Sequence, residues 1–534
     1  MKILKKNIGK AYLSNVLVVL AIFITFISSA QRNGDGKSDT TRPNIIFIMS
    51  DDHAYQAISA FDDKLIKTPN IDRIAAEGAK FNNSFVTNSI CAPSRAVMLT
   101  GKYSHLNGKK DNLDVFDGSQ QTFIKLLKAD GYETSIFGKW HLKSVPEGFD
   151  IWNILIDQGE YYNPNLIKNG DTVQIKGYTT DLITEMSLEY LDTRNENQPF
   201  VMLLHNKAPH RNWMPKLEDL DEVLSKTYPL PETFYDDYSG RSTAAKEQDM
   251  RIENMFLSMD MKLMPGDYEE DTGTGGNRFA NGEHNLLADL SRMDKEQYET
   301  WEKHYAPIRR KFREDSLTGD SLLRWKYQRY MQDYLGTIKA VDDNVGRLLD
   351  YLDKNGLSEN TLVVYTSDQG FYLGEHGWYD KRFMYEESLR MPLMMRYPKA
   401  IKAGTQINEM VLNLDFAPTF LDFAQVQVPS DMQGQSFKSL VLGESVKDWR
   451  TSLYYHYYEF PEGWHSVKRH YGVRTDRYKL IHFYNDIDAW ELYDLREDPN
   501  EMKNLIGISK HGRLLSKMKN ELNRLQEQYN ETVK

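Results

Sequence analysis

Asn44-Ile-Ile-Phe-Ile-Met-Ser50, entered through Pro43 and left through Asp51-Asp52, is the stretch that decides the fold. Its apolar residues run without a polar break from Ile45 to Met49. So short and continuous an apolar run reads as a strand buried on both faces, as in a parallel sheet. Residues 132–137, 199–204 and 361–367 read as further strands of this kind. Between them lie helical stretches at 68–78, 121–129 and 180–194. Tyr334, Ile338, Val341, Val345, Leu348 and Leu352 keep helical spacing up to Gly356. Strands alternating with helices predict an α/β fold: a mostly parallel sheet sandwiched by helices.

The alternation breaks at about 215–320, which is polar and charge-rich, with Thr272-Gly-Thr-Gly-Gly-Asn277 reading as flexible loop. This segment is expected to be a large surface insertion in a catalytic domain spanning 42–435. Beyond it, aromatic runs at 453–458, 471–473, 478–484 and 490–493 predict a smaller antiparallel sheet. A charged amphipathic helix from about 509 would cover that sheet, giving a C-terminal subdomain at 436–534. No internal repeat is present.

Residues 1–30 combine lysines, an apolar run at 16–27 and the small end Ser28-Ser29-Ala30, the pattern of a secretory signal peptide. The run falls short of the ~20 residues that span a bilayer, so no stable membrane span is expected. The absence of cysteine near the cleavage site excludes a bacterial lipoprotein, and 31–41 reads as a polar tether. The expected location is secreted, in the bacterial periplasm. Removing the leader takes four lysines and no acid, so the formal charge moves from −11 to −15. That balance argues against nucleic acid as a partner. Cys91 is the only cysteine in 534 residues. In an oxidising compartment a lone thiol points to special chemistry.

In open α/β sheets, ligands sit outside the carboxyl ends of the strands. Four strand ends there carry chemistry: Asp51-Asp52, Asp368-Gln369, Lys139 with His141, and His205 with His210. Three carboxylates and an amide make an all-oxygen set suited to Ca²⁺ or Mg²⁺ rather than zinc. Cys91-Ala-Pro-Ser-Arg95 opens an apolar run, which places Pro93 at the first helical position and Cys91 just before a helix N-terminus.

The pattern Cys-x-Pro-Ser-Arg followed by Leu99-Thr-Gly-Lys102 resembles the signature of the type I, formylglycine-dependent sulfatases of the alkaline-phosphatase-like superfamily. The resemblance runs from Arg42 to about Tyr397 and is weaker beyond. It implies that Cys91 is converted to formylglycine by a formylglycine-generating or anaerobic sulfatase-maturing enzyme. It implies one Ca²⁺ (Mg²⁺ as the lesser choice) held by Asp51, Asp52, Asp368, Gln369 and the modified Cys91. Gln369 stands where many members have Asn. The hydrated aldehyde would attack sulfur and His141 would act as base in expelling sulfate. Arg95 and Lys139 would steady the formylglycine, His210 would protonate the leaving oxygen, and Lys381 would face the sulfate. His53, His205 and His376 read as structural.

The stretches 205–214 and 454–485 look like those of bacterial polysaccharide sulfatases related to N-acetylglucosamine-6-sulfatase. The expected partner is a sulfated carbohydrate, an algal polymer or a host glycosaminoglycan or mucin. Gly463-Trp-His-Ser-Val-Lys-Arg-His-Tyr471 gathers an aromatic ring and cations that suit sulfated sugars. His465, Lys468, Arg469 and His470, with Arg211 and Trp213, are therefore candidates for sugar subsites. Two alternatives stay open on the residues: a phosphoester or phosphonate hydrolase of the same superfamily, and a carbohydrate-binding homologue without catalysis.

Overall fold

The strand β1 (Asn44–Ser50) lies near the middle of a ten-stranded sheet. The computed structural model describes residues 42–271, 281–463 and 465–533. The expected signal peptide and tether, the stretch 272–277 expected to be loop, and Trp464 lie outside the described residues. Going along the chain, α1 (Pro69–Ala76), β2 (Ala79–Phe81), α2 (Cys91–Thr100) and α3 (Phe123–Ala129) lead to β3 (Glu133–Lys139). Next come β4 (Ile151–Leu155), β5 (Asn165–Lys168), β6 (Asp171–Gln174), α4 (Thr179–Thr193) and β7 (Phe200–His205). The helices α5 (Lys295–Asp315) and α6 (Gly319–Lys354) then precede β8 (Thr361–Ser367), β9 (Leu393–Arg396), β10 (Thr405–Ile407) and α7 (Phe416–Phe423).

The sheet order is β10-β2-β9-β8-β1-β7-β3-β4-β5-β6. The central strands β8, β1, β7, β3 and β4 are all parallel, as their unbroken apolar character predicts. Register then fixes the site. Ser50 pairs with Ser367, Met49 with His205, and His205 with Gly138, so the carboxyl ends of four strands finish together. Alternation sends Ile45, Phe47 and Met49 into the apolar layer that holds Phe123, Phe416 and Phe420. Ile46 and Ile48 go to the opposite layer, with Ile71, Ile183, Val341 and Val345. Helices thus cover both faces, and each fully buried large apolar side chain contributes about 1.5–3 kcal/mol.

Three expectations need correction. The segment 215–320 is more than a surface insertion. Ile252, Met255, Leu257, Met261 and Leu263 form a buried cluster with Trp213 and with Tyr327, Tyr330 and Tyr334 of α6. Its apolar residues come in short groups between charges, which hid the core from a reading of composition. The long helix also begins at Gly319, well before the apolar spacing at Tyr334 announces it. At the other site, Cys91 is itself the first residue of α2, after extended Ile90, and Pro93 is the third.

The C-terminal strands β11 (Ser452–Tyr457), β12 (His470–Thr475), β13 (Tyr478–Phe483) and β14 (Ala489–Asp494) form an antiparallel meander. The helix α8 (Gly512–Gln528) packs on it through Met518, Leu522 and Leu525. One apolar cluster runs from the main sheet into this meander. Among the described residues no helix is long and apolar enough to cross a membrane.

Candidate active site

Asp51, Asp52 and Asp368 leave β1 and β8 fully buried, with carboxylate oxygens within 4.8 Å of one another. Three like charges so close repel unless cations lie among them. Each has one: Lys139 pairs with Asp51, and the Lys381 ammonium lies 2.6 and 2.7 Å from the Asp52 oxygens. Arg95 donates to Asp368 Oδ2 from Nε at 3.1 Å and Nη2 at 3.0 Å. Two acceptors are still left buried without a hydrogen-bond donor, Asp51 Oδ1 and Gln369 Oε1. Gln369 turns its amide nitrogen to Asp52. Orphaned oxygens in an all-oxygen set fit a hard divalent cation.

Cys91 opens α2 beside them, its Sγ 3.9 Å from Asp52 Oδ1, and is 1% exposed. Burial pushes its thiol pKa well up; Lys381 and Arg95 oppose this, while Asp368 and Asp52 add to it. A neutral thiol is a weak nucleophile, so the unmodified residue does not account for chemistry at this position. Around it, the buried Lys139 also donates to Gln158, and Arg95 Nη1 donates to the Lys139 carbonyl at 2.9 Å.

His141 and His210 flank the acids. His210 Nε2 lies 3.8 Å from Asp52 Oδ2, and His141 Nε2 lies 3.0 Å from the Gln158 side-chain nitrogen and 3.6 Å from Asp157. Burial first, and then neighbouring lysines, hold both imidazoles well below the usual histidine pKa. Neutral imidazole is the form a base needs. His53, His205 and His376 sit in the structure as expected. His53 bonds Tyr365, His205 lies 3.2 Å from the Lys139 carbonyl, and His376 pairs with Asp236.

Of these groups His210, Lys381 and Gln158 line a cavity of about 330 Å³, together with Asp380, Arg382, His465 and Lys207. Asp380 links the wall together: it lies 2.7 Å from Arg382 Nη1 and 3.3 Å from His465 Nε2. Burial drives Asp380 upward, and Arg382, Lys381 and His465 outweigh it and hold the carboxyl well below its ordinary range. Asp380, Arg382 and His465 all take positive φ, of 76°, 91° and 71°. Strained backbone of this kind clusters at working sites.

Of the candidate sugar contacts, His465 lines the cavity. Arg211 also reaches the wall, but Asp260 holds its guanidinium at two points, 2.7 and 2.5 Å. The others need correction. Trp213 is fully buried, donating to the Pro209 carbonyl at 2.6 Å and packed on Tyr330. His470 is fully buried, with Nδ1 2.8 Å from the Lys468 carbonyl and Nε2 accepting from the Met384 amide. Lys468 pairs with Glu247, Arg469 donates to the Phe460 carbonyl, and neither lines the cavity. Each of these side chains is turned to a partner of its own, so the dense run does not face one pocket. Sequence reasoning missed Asp380 and Arg382, which flank Lys381 in Trp378-Tyr-Asp-Lys-Arg382, and Gln158, which carried no signal.

An α/β frame that brings carboxylates, an amide, lysines and a buried cysteine to one sheet edge defines a metal-dependent hydrolase of the alkaline-phosphatase-like fold. The sulfatase family matches residues 43–426, and the C-terminal region of N-sulphoglucosamine sulphohydrolase matches 374–528. An N-acetylglucosamine-6-O-sulfatase of Bacteroides thetaiotaomicron is 49% identical over 529 residues, covering 98% of this chain and 92% of that protein. A solved structure of a protein bound to its substrate D-glucosamine-2-N,6-O-disulfate superposes with a TM-score of 0.87 at 51% identity, covering 92% of this chain and 99% of that one. A phosphonate monoester hydrolase from Silicibacter pomeroyi, at 17% identity and a TM-score of 0.65 over 91% of this chain and 96% of that one, shares the fold alone. The chain belongs to the sulfatase family and is a sulfuric ester hydrolase.

Proposed function

We propose that this sulfatase removes the 6-O-sulfate from glucosamine residues of a sulfated polysaccharide or its oligosaccharides, and that it works in the bacterial periplasm after loss of residues 1–30. The observation that carries the reading is the cavity, lined by His210 and Lys381 of the proposed sulfate site and by a polar wall of Asp380, Arg382 and His465. It occurs in a chain about half identical, along nearly its whole length, to a 6-O-sulfatase. A wall of paired donors and acceptors suits sugar hydroxyls, which each donate and accept.

Asp51, Asp52, Asp368 and Gln369 would hold the metal, with Ca²⁺ fitting the oxygen donors best. The metal would neutralise the carboxylates and draw a sulfate oxygen. Oxidised to formylglycine by a maturing enzyme, Cys91 supplies a hydrated aldehyde, with one hydroxyl for attack at sulfur and a second whose loss of a proton frees sulfate. The chain's own residues do the rest. Lys381 and Lys139 place positive charge where the sulfo group gains negative charge in transfer. Arg95 braces both Asp368 and the Lys139 carbonyl, fixing the positions of acid and lysine. His141, held neutral, takes a proton at position 91. His210 must first gain a proton, which the negative charge of a sulfate ester beside it would favour, before giving it to the departing sugar oxygen. Membership of the sulfatase family selects this chemistry over the phosphoester and non-catalytic readings.

The test is sulfate release by matured enzyme from N-acetylglucosamine-6-sulfate, glucosamine-2-N,6-O-disulfate and sugars sulfated at other positions. Turnover confined to 6-O-sulfates supports the reading. Turnover of other positions without 6-O-cleavage overturns it.

A further inference from the structure

Lys207 is a buried lysine, 4% exposed, on the cavity wall. The other lysine and arginines of the lining are committed: Lys381 to Asp52, Arg211 to Asp260 and Arg382 to Asp380. Among the described residues Lys207 has no carboxylate within ion-pair reach. Its polar contact is the Arg211 carbonyl at 3.5 Å, and its ammonium lies 4.9 Å from the centre of the Tyr161 ring. The acids whose charge reaches it are held elsewhere, Asp52 by Lys381. Asp289 accepts from Asn212 at 3.0 Å, Glu160 pairs with Arg292 at 3.2 Å, and Asp157 lies toward His141 at 3.6 Å.

Burying an ammonium without a counter-charge is costly. A fold keeps such a group where a ligand brings the missing charge. We infer that Lys207 is a specificity residue that holds a second oxyanion of the substrate, separate from the sulfate being cleaved. The ligand chemistry is a sulfo group or a carboxylate. It would come from an N-sulfo group on the same glucosamine or from a uronate on the adjoining sugar. The inference rests on the proposed sugar sulfatase reading, but it concerns binding and is tested as such. A role in the sulfate step itself would instead affect every substrate equally.

Calorimetry on matured wild-type and Lys207→Met enzyme tests it with ligands that lack a 6-O-sulfate. One arm uses glucosamine-2-N-sulfate, and the other an N-acetylated glucosamine–uronate disaccharide. Loss of one charge-assisted contact should weaken one arm by about tenfold, and the arm affected identifies the source of the oxyanion. N-acetylglucosamine, without a second charge, should bind both proteins alike. Equal affinities of the two proteins in both charged arms, or no binding by the wild type, overturns the inference. So does an equal loss for N-acetylglucosamine, which would make Lys207 structural. Failure of the sulfatase reading shows separately, as absence of sulfate release from 6-O-sulfated sugars.

Discussion

Lys381 and Asp52 form a buried clasp, the ammonium 2.6 Å from Oδ2 and 2.7 Å from Oδ1. Burial works against the charge on Lys381, and Asp52 more than restores it, so the lysine stays protonated. Asp52 is also a proposed metal ligand, so lysine and metal share one carboxylate. In Lys381→Met the cation facing the sulfo group is lost, and kcat should fall on the order of 10²–10³-fold. Metal affinity should not fall, because a competitor for Asp52 has gone. Activity and metal affinity lost in parallel would make Lys381 a support for the metal site instead.

Removal of the metal should cost stability as well as activity. Asp51, Asp52 and Asp368 sit within 4.8 Å of one another, and Asp51 Oδ1 has no donor. A ligand that binds the folded state at a hundredfold excess over Kd adds about 2.7 kcal/mol. Chelation should therefore lower Tm and abolish turnover, and Ca²⁺ should restore both. Recovery with Zn²⁺ but not Ca²⁺ would contradict the oxygen-donor assignment.

Cys91 lies inside a helix whose every residue is buried. A maturing enzyme would not reach that side chain in the closed fold, so the proposed conversion would come before folding. Mass spectrometry should show the aldehyde at 91 only when the maturing enzyme is present during synthesis. Addition of that enzyme to folded, unmodified protein should leave the cysteine intact. Cys91→Ala should keep its Tm within about 1 °C and lose turnover, and residual full activity would end the assignment.

The parallel sheet and its acidic edge were legible because both rest on local signals. An unbroken apolar strand leaves few folds, and residues just past its end share one edge by register. Asp51, Asp52, Lys139 and Asp368 could be placed that way, while Cys91 was found through its motif. What was not legible depends on orientation. Trp213 and His470 have the composition of a sugar platform, yet both are fully buried. Asp380 and Arg382 gained their place through turns of positive φ, which spacing alone does not reveal. The core within 215–320 was masked by its charges for the same reason: composition averages over faces that packing separates.

A buried ion cluster gives a pH test away from the metal. Glu386 holds Arg474 and Lys479, and Glu501 shares that lysine at 2.7 Å. Burial pushes Glu501 up to about 7, with Lys479 opposing and Glu386 adding to the rise. A folded-state pKa above the ordinary 4.5 means the folded protein binds the extra proton. This contribution to stability is therefore fully present below about pH 4.5 and is lost as pH rises toward 7. Thermal melts of wild type and Glu501→Gln across that window should show a shallower decline in the variant. Parallel profiles would exclude Glu501 as the titrating group.

The two histidines of the C-terminal stretch should separate specificity from folding. His465 stands on the cavity wall, its Nδ1 3.1 Å from Asp249 and its Nε2 3.3 Å from Asp380. His470 is fully buried, stacked with Tyr455, and its Nε2 accepts the Met384 amide at 3.1 Å. In His465→Ala the Asp380–Arg382 pair loses a neighbour only where a sugar would meet it. Turnover of 6-O-sulfated glucosamine should fall by about tenfold or more, while turnover of a small aryl sulfate, which needs only the sulfate groups, should change little. His470→Ala instead removes a packed ring and strands a buried amide, costing about 1–3 kcal/mol. It should lower Tm and reduce both activities together. Trp213→Ala should follow the same course more steeply, by about 3–5 kcal/mol. Selective loss of sugar turnover in His470→Ala, at unchanged Tm, would return that residue to the substrate. Equal loss on both substrates in His465→Ala would remove the cavity wall from sugar recognition.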